Sequence, residues 1–198
     1  VQQEERADIV NLDEGKVLGG CWRISRQLGT GAFGAVYEAV NLDTGGHAAV
    51  KVEANTKDSV LKQEAVVMSA LTDKPHSVEL LASGKRQVYQ YIVMSLLGPN
   101  LCDLRYACGG SFTQSTQLRV AILVLHALKQ IHDSGFLHRD VKPANLAPGH
   151  PGYTDPRLIY IFDFGLSRQF VEQTNDGTYQ LREARKRVHF RGTSRYCS

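Results

Sequence analysis

The sequence predicts an α+β fold in two consecutive parts, a β-rich first part and a helical second part. Three observations carry this. Residues 22–53 hold three short runs rich in Val, Ile and Tyr, separated by glycine turns. Residues 113–134, "TQSTQLRVAILVLHALKQIHDS", repeat apolar residues at the helical period instead. Between them Leu97–Gly98–Pro99 interrupts both patterns.

Taken in order, residues 1–21 are polar and acidic without a clear period and read as a lead-in. "WRISRQLG" and "AVYEAVN" flank a Gly-rich turn, and "HAAVKVE" follows the turn signal "DTGG", giving three strands in a meander. "KDSVLKQEAVVMSALT" places Val60, Leu61, Glu64, Val67, Met68 and Leu71 at helical spacing. "SVELLASG" and "VYQYIVMSL" read as two further strands. In 113–134 the residues Leu118, Ile122, Leu125, Leu128 and Ile131 form one stripe, and an apolar face open to water is expected in this part. Thr113 or Ser115 would cap that helix and Gly135 would end it. Residues 148–159 are a Pro/Gly-rich loop, read as a flexible insertion.

With 198 residues, one domain or two small ones is expected. At 42% hydrophobic and 22% charged, the composition is that of a globular protein. The longest apolar run, "VAILVLHAL" at 120–128, falls short of the ~18 residues of a membrane helix, so no membrane partner is expected. The chain opens on Val1, which leaves an upstream signal open. Cys21, Cys102, Cys108 and Cys197 make no C-x-x-C pair and read as reduced thiols, which points to the cytosol or nucleus.

Two stretches carry chemistry. "GTGAFG" sets Gly29, Gly31 and Gly34 as G-x-G-x-x-G, which lets backbone N–H groups approach phosphate. A dinucleotide-binding turn would continue into a helix, with an acid about 20 residues on, and Glu53 lies near that distance. The strand-like "AVYEAVN" that follows instead favours a hairpin covering phosphates, with Lys51 on the next strand. "LHRDVKPANL" sets Asp140 between Arg139 and Lys142, with Asn145 five residues on. Asp163 of "DFG" follows the strand-like "RLIYIF".

"GTGAFGAV", "AAVK", "HRDVKPAN" and "DFG", in this order, resemble the protein-kinase signature set. "MSLLGPNLCDLR" resembles the hinge segment of the casein kinase 1 superfamily. "GFLHRDVKPANLA", "DFGLSRQF" and "FRGTSRY" are most similar to its tau-tubulin kinase-like branch. The resemblance implies a bilobal kinase fold over 22–198, with a β-rich small lobe at about 22–97. A partial helical large lobe at about 98–198 would lack its C-terminal part.

The resemblance also implies roles. The loop Gly29–Gly34 would cover the phosphates of ATP, and Lys51, held by Glu64, would contact them. Asp140 would accept or orient the substrate hydroxyl proton, with Lys142 offsetting charge. Asn145 and Asp163 would bind Mg²⁺. Leu28, Val36, Ala49, Met94 and Leu97 would surround the adenine, with Met94 as gatekeeper and Ser95 to Leu97 as hinge. Ala147, below the base, departs from the bulkier residue common in kinases. Thr193 resembles the residue that touches the catalytic loop. The implied activity is transfer of the γ-phosphate of ATP to Ser/Thr hydroxyls of proteins. A non-catalytic module that binds nucleotide or a partner is the alternative.

Residues 178–198 carry six cations against Glu183, a net +5. A solvated loop, a nucleic-acid patch and an anion site are the readings. No interleaved aromatic platform supports nucleic acid. The anion reading gives Arg182, Arg185, Lys186 and Arg191 to acidic or already phosphorylated substrates, because Arg pairs with phosphate bidentately. Arg139 could instead clamp a phosphate near Thr174, Thr178 or Tyr179.

Overall fold

The alternation of "HAAVKVEA" is resolved by burial on both faces of one strand. Ala48, Val50 and Val52 point one way into an apolar cluster, while Ala49, Lys51 and Glu53 point the other way. A computed structural model describes residues 10–31, 34–57, 59–174, 176–183 and 190–197. Its main element is a six-stranded antiparallel sheet of β1 (Val17–Leu18), β2 (Trp22–Thr30), β3 (Gly34–Asn41), β4 (His47–Ala54), β5 (Leu80–Lys85) and β6 (Tyr89–Ser95). The spatial order is β1-β2-β3-β4-β6-β5. Helix α1 (Leu61–Ala70) crosses between β4 and β5. Its buried residues Leu61, Glu64, Val67 and Met68 recur at the helical period and turn toward the second part.

Beyond the sheet follow α2 (Leu101–Ala107), α3 (Gln114–Asp133), β7 (Phe136–Leu137), β8 (Leu146–Pro148) and β9 (Ile159–Ile161). Then come β10 (Arg168–Gln169), β11 (Val171–Gln173) and β12 (Tyr179–Leu181). The Asn100 side chain caps α2, accepting from Cys102 N at 2.9 Å and Asp103 N at 3.1 Å. Thr113 caps α3, accepting from Thr116 N. Gly135, at φ +82°, follows in the left-handed conformation that ends helices.

Among the described residues, two apolar clusters hold the fold. One lies on the outer face of the sheet, around Trp22, Ile24, Tyr37, Val50, Tyr91 and Val93. The other joins the inner face to the second part, through Met68, Ile92, Leu101, Ile131, Ile161 and Phe164. Burying each such side chain is worth about 1.5–3 kcal/mol.

The stripe read on α3 divides between core and solvent. Ile131 is buried and Leu128 half-buried, but Leu118, Ile122 and Leu125 face outward, Leu125 at 65% exposure. The core-facing side instead runs through Val120, Leu123, Val124, Ala127, Leu128 and Ile131. This helix is apolar on two faces, so periodicity alone could not choose between them. No helix among the described residues is long and apolar enough to cross a membrane.

The loop 148–159 is held at several points, contrary to the expectation of a flexible insertion. Thr154 Oγ1 donates to the Leu96 carbonyl at 3.1 Å, and Gly149 bridges Leu97. The Tyr153 ring stacks on His47 of β4, centroids 4.9 Å apart. Composition predicts a turn-rich backbone there but not these contacts with distant segments.

Candidate functional site

Pairing register builds the site. In the β3–β4–β6 ladder Val36 lies opposite Lys51, and Ala49 lies opposite Met94. The sheet thus sets Val36, Ala49, Lys51 and Met94 on neighbouring strands. Leu28 sits exposed where the β2–β3 register slips between Gln27 and Gly29. Leu97 bridges Gly149, two residues past Ala147, so β8 ends against the segment after β6. Ala147 itself is buried.

The glycine turn closes through Gly31 N–H to Gly34 O at 2.8 Å. Gly34 is a fixed requirement, because a Cβ there would run into the Val52 carbonyl and lie 3.1 Å from Glu53 Cα. Gly29 has open space around it. Gly34→Ala should therefore cost about 1–3 kcal/mol of stability, whereas Gly29→Ala should stay within about 0.5 kcal/mol. Urea denaturation of both variants checks this.

The β8–β9 hairpin makes the second half. Leu146 pairs with Ile161, and Phe162 N donates to Asn145 O at 3.1 Å. That pairing sets Asn145 beside Asp163 at the open end of the hairpin. Asp163 and Arg139 are held at φ +66° and +68°. Such backbone is costly for residues with side chains and recurs at functional sites.

Lys51 joins the two halves. Its Nζ lies 2.5 Å from Glu64 Oε1 on α1 and 3.0 Å from Asp163 Oδ1. Burial alone would lower the Lys51 pKa, but the two carboxylates outweigh it and raise it. Glu64 is 2% exposed. Burial pushes its carboxyl up, Lys51 pulls it back in part, Asp163 repels it, and it ends at about 7. The firm charge of the pair is the ammonium, since two carboxylates face it. The approach of α1 to "DFG" is close: a Cβ on Gly165 would lie 2.8 Å from Val60 Cγ2 and 3.1 Å from Glu64 Oε1. Gln63 Nε2 also donates to the Ser167 carbonyl.

Asp140 is surrounded by donors. Lys142 Nζ lies 2.7 Å from Oδ2, Asn145 Nδ2 donates to Oδ2 at 3.1 Å, and Thr193 Oγ1 donates to Oδ1 at 2.8 Å. Burial would raise the Asp140 pKa, but the bonds from Lys142, Thr193 and Asn145 and the Lys142 charge hold it below its usual range. Asn145 Nδ2 also donates to the Asp140 carbonyl at 2.9 Å, which leaves Oδ1 as its free acceptor. Beside Asp140 lies a cavity of about 330 Å³, lined in part by Arg139, Phe190, Arg191, Thr193 and Tyr196.

Of the basic candidates, Arg191 lines this cavity, and Arg182 pairs with Glu172 at 3.2 Å. Arg185 and Lys186 lie outside the described residues. Arg139 Nε donates to the Leu166 carbonyl at 2.6 Å.

Sequence reading gives no role to His138, yet it braces both loops. Its Nδ1 accepts from Asp140 N–H at 3.2 Å, its Nε2 donates to Phe162 O at 3.0 Å, and its ring meets Phe164 edge-on. Only the neutral ring serves both bonds. Burial lowers its pKa below the usual 6.5, against smaller opposing pulls from Phe162, Asp163 and Asp140. The unfolded chain thus binds more protons just below pH 6.5, and His138 withdraws stability as the pH falls through that window. Glu64, with its raised value, works the opposite way there. Urea unfolding at pH 7.5 and 5.5 should show His138→Gln less stable at the higher pH but losing less on acidification than the wild type.

A family model described as "Protein kinase domain" matches residues 22–198. The chain is 42% identical over 190 residues to a Caenorhabditis elegans protein whose name carries the words serine/threonine-protein kinase. That match covers 94% of this chain and 55% of that protein. It is 37% identical over 192 residues to a Dictyostelium discoideum protein whose name carries the same words, covering 96% and 38%. It is 30% identical over 187 residues to casein kinase I homolog 1 of Saccharomyces cerevisiae, covering 94% and 34%. The chain therefore spans between a third and little more than half of the length of these relatives. Protein kinases as a family use ATP and Mg²⁺ and act on protein substrates. With a lysine tied to a helix glutamate and to the aspartate of "DFG", and a donor-ringed aspartate in "HRD", all within the matched residues, the chain belongs to the protein kinase family.

Proposed function

We propose that the protein is an ATP-dependent serine/threonine kinase favouring acidic or already phosphorylated protein substrates. The observation that carries the reading is the Lys51–Asp163 contact at 3.0 Å, which spans 112 positions of sequence. It sets the cation of the sheet beside the oxygen groups of the second part, where a metal-bound triphosphate would need both.

The donor set fits that ligand. Magnesium takes one or two carboxylates, with phosphates and water completing its shell. Asp163, 43% exposed at its side chain, and Asn145 Oδ1 supply such oxygens. Among the described residues no cluster of three or more His, Cys, Asp or Glu offers a full protein cage. Gly34, Gly31 and Gly29 would admit phosphates, and Lys51 would hold them. Bound MgATP supplies the γ-phosphoryl group, and phosphoryl transfer asks the protein mainly for alignment and charge. Asp140 stays ionised at neutral pH, ready to accept or orient a hydroxyl proton, and Lys142 is at hand to offset negative charge.

The substrate preference draws support from Arg191, at the cavity beside Asp140. Two serine peptides differing only in an upstream phosphoserine, offered with labelled ATP to the full-length protein, test the reading. Faster labelling of the phosphorylated peptide is expected. Equal turnover removes the preference. Nucleotide binding without labelling of either peptide replaces the enzyme reading with that of a binding module.

A further inference from the structure

Helix α1 lacks a cap of its own. Its N-cap residue is Val60, whose side chain accepts nothing. The first backbone donors of a helix have no partner within it, and here one is met from another element. Glu53 Oε2, on β4, accepts from Val60 N–H at 3.2 Å and from Ser59 Oγ at 2.7 Å. Gln90, opposite Glu53 in the ladder, donates in turn to Ser59 Oγ at 2.5 Å.

Glu53 and Lys51 are two residues apart on one face of β4. The Val60 carbonyl accepts from Glu64 N–H at 3.0 Å, and Glu64 Oε1 meets Lys51 Nζ. The bonds therefore close a ring: Lys51 along the strand to Glu53, across to Val60, one helical turn to Glu64, and back to Lys51. A single turn of α1 is pinned at both ends to one strand face.

The arrangement is costly. Glu53 is 1% exposed, and its buried Oε1 has no hydrogen-bond partner among the described residues. An unmet buried polar atom typically costs about 1–3 kcal/mol, a cost that stands against the two bonds accepted by Oε2.

From this ring we infer that Glu53 is a positioning residue for the phosphate-binding lysine, acting through Glu64. The inference rests on the kinase reading above. It assigns Glu53 no contact with substrate or nucleotide.

Nucleotide affinity of the full-length protein, read by calorimetry with MgADP, tests it. Glu53→Ala should weaken binding about tenfold, the scale of a lost helix cap. Glu53→Gln, which keeps an oxygen acceptor for Ser59 and Val60, should stay within about twofold of the wild type. The deciding comparison is made in a Glu64→Gln background. There Lys51 has already lost its charged helix partner, and Glu53→Ala should add less than about twofold. Ser59→Ala, a milder change, should weaken binding about threefold in the wild type and not measurably in that background.

Full additivity with Glu64→Gln, or a Gln at 53 as damaging as Ala, overturns the inference alone. A wild type that binds no MgADP overturns the kinase reading and takes this inference with it.

Discussion

Replacing Asp140 by Asn should slow phosphoryl transfer to a serine peptide about 10²–10⁴-fold, the range of a lost general base. Nucleotide affinity should change little, because Lys51, Asn145 and Asp163 are untouched. The argument rests on how the carboxylate is held. Lys142, Thr193 and Asn145 all donate to it at 2.7–3.1 Å, and together they favour the charged form. An amide in its place accepts from Thr193 or from Asn145 and Lys142, but not from all of them, and it cannot take a proton. With its usual value near 3.8 and the fold lowering it further, Asp140 stays ionised across the neutral range. The acid limb of the pH–rate profile should therefore lie well below pH 5 as far as this group sets it. Steady-state kinetics of Asp140→Asn checks the prediction. A rate within tenfold of the wild type would remove Asp140 from the chemistry.

Lys51→Met should be costly in two separable ways. It removes the cation between sheet and second part, so phosphoryl transfer should fall below detection in an assay sensitive to about 10³-fold loss. It also leaves Glu64 buried without its partner; burial already holds that carboxyl at about 7, so it takes up a proton, and the loss is that of an unmet buried polar group, about 1–3 kcal/mol. Replacing both partners separates the two effects. Lys51→Met with Glu64→Leu should recover most of the stability, because a well-packed apolar pair often matches a buried ion pair. It should recover none of the activity. Urea unfolding and labelled-ATP transfer, run on the same three proteins, give both readings. Recovery of activity in the double variant would show that the ion pair serves only the fold.

Where the sequence was legible, the reason was local. The runs "AVYEAVN" and "HAAVKVE" carry their strands because Ala35, Tyr37 and Ala39, and Ala48, Val50 and Val52, recur at period 2 in one apolar cluster, though Ala49 and Glu53 are buried on the other face as well. Ordered motifs pointed to Lys51, Glu64, Asp140, Asn145 and Asp163, which the fold brings into two linked clusters. What stayed illegible depends on partners distant in sequence. The face of α3 that meets the core is decided by β7 and β9, not by its own period. The anchoring of loop 148–159 depends on Leu96 and His47, far upstream. Glu53 reads as an ordinary strand acid, and its place two residues past Lys51 was the one available signal. His138 lies inside a recognised motif, but its work is done by two backbone groups that no residue pattern announces.

A crystal structure of the full-length protein with magnesium and a non-hydrolysable ATP analogue tests the central claim most directly. The account predicts the metal on the Asp163 carboxylate and Asn145 Oδ1, the Lys51 ammonium on the phosphates, and Asp140 beside the γ-phosphate. A nucleotide bound away from the β2–β3 turn, or a metal held without Asp163, would contradict it.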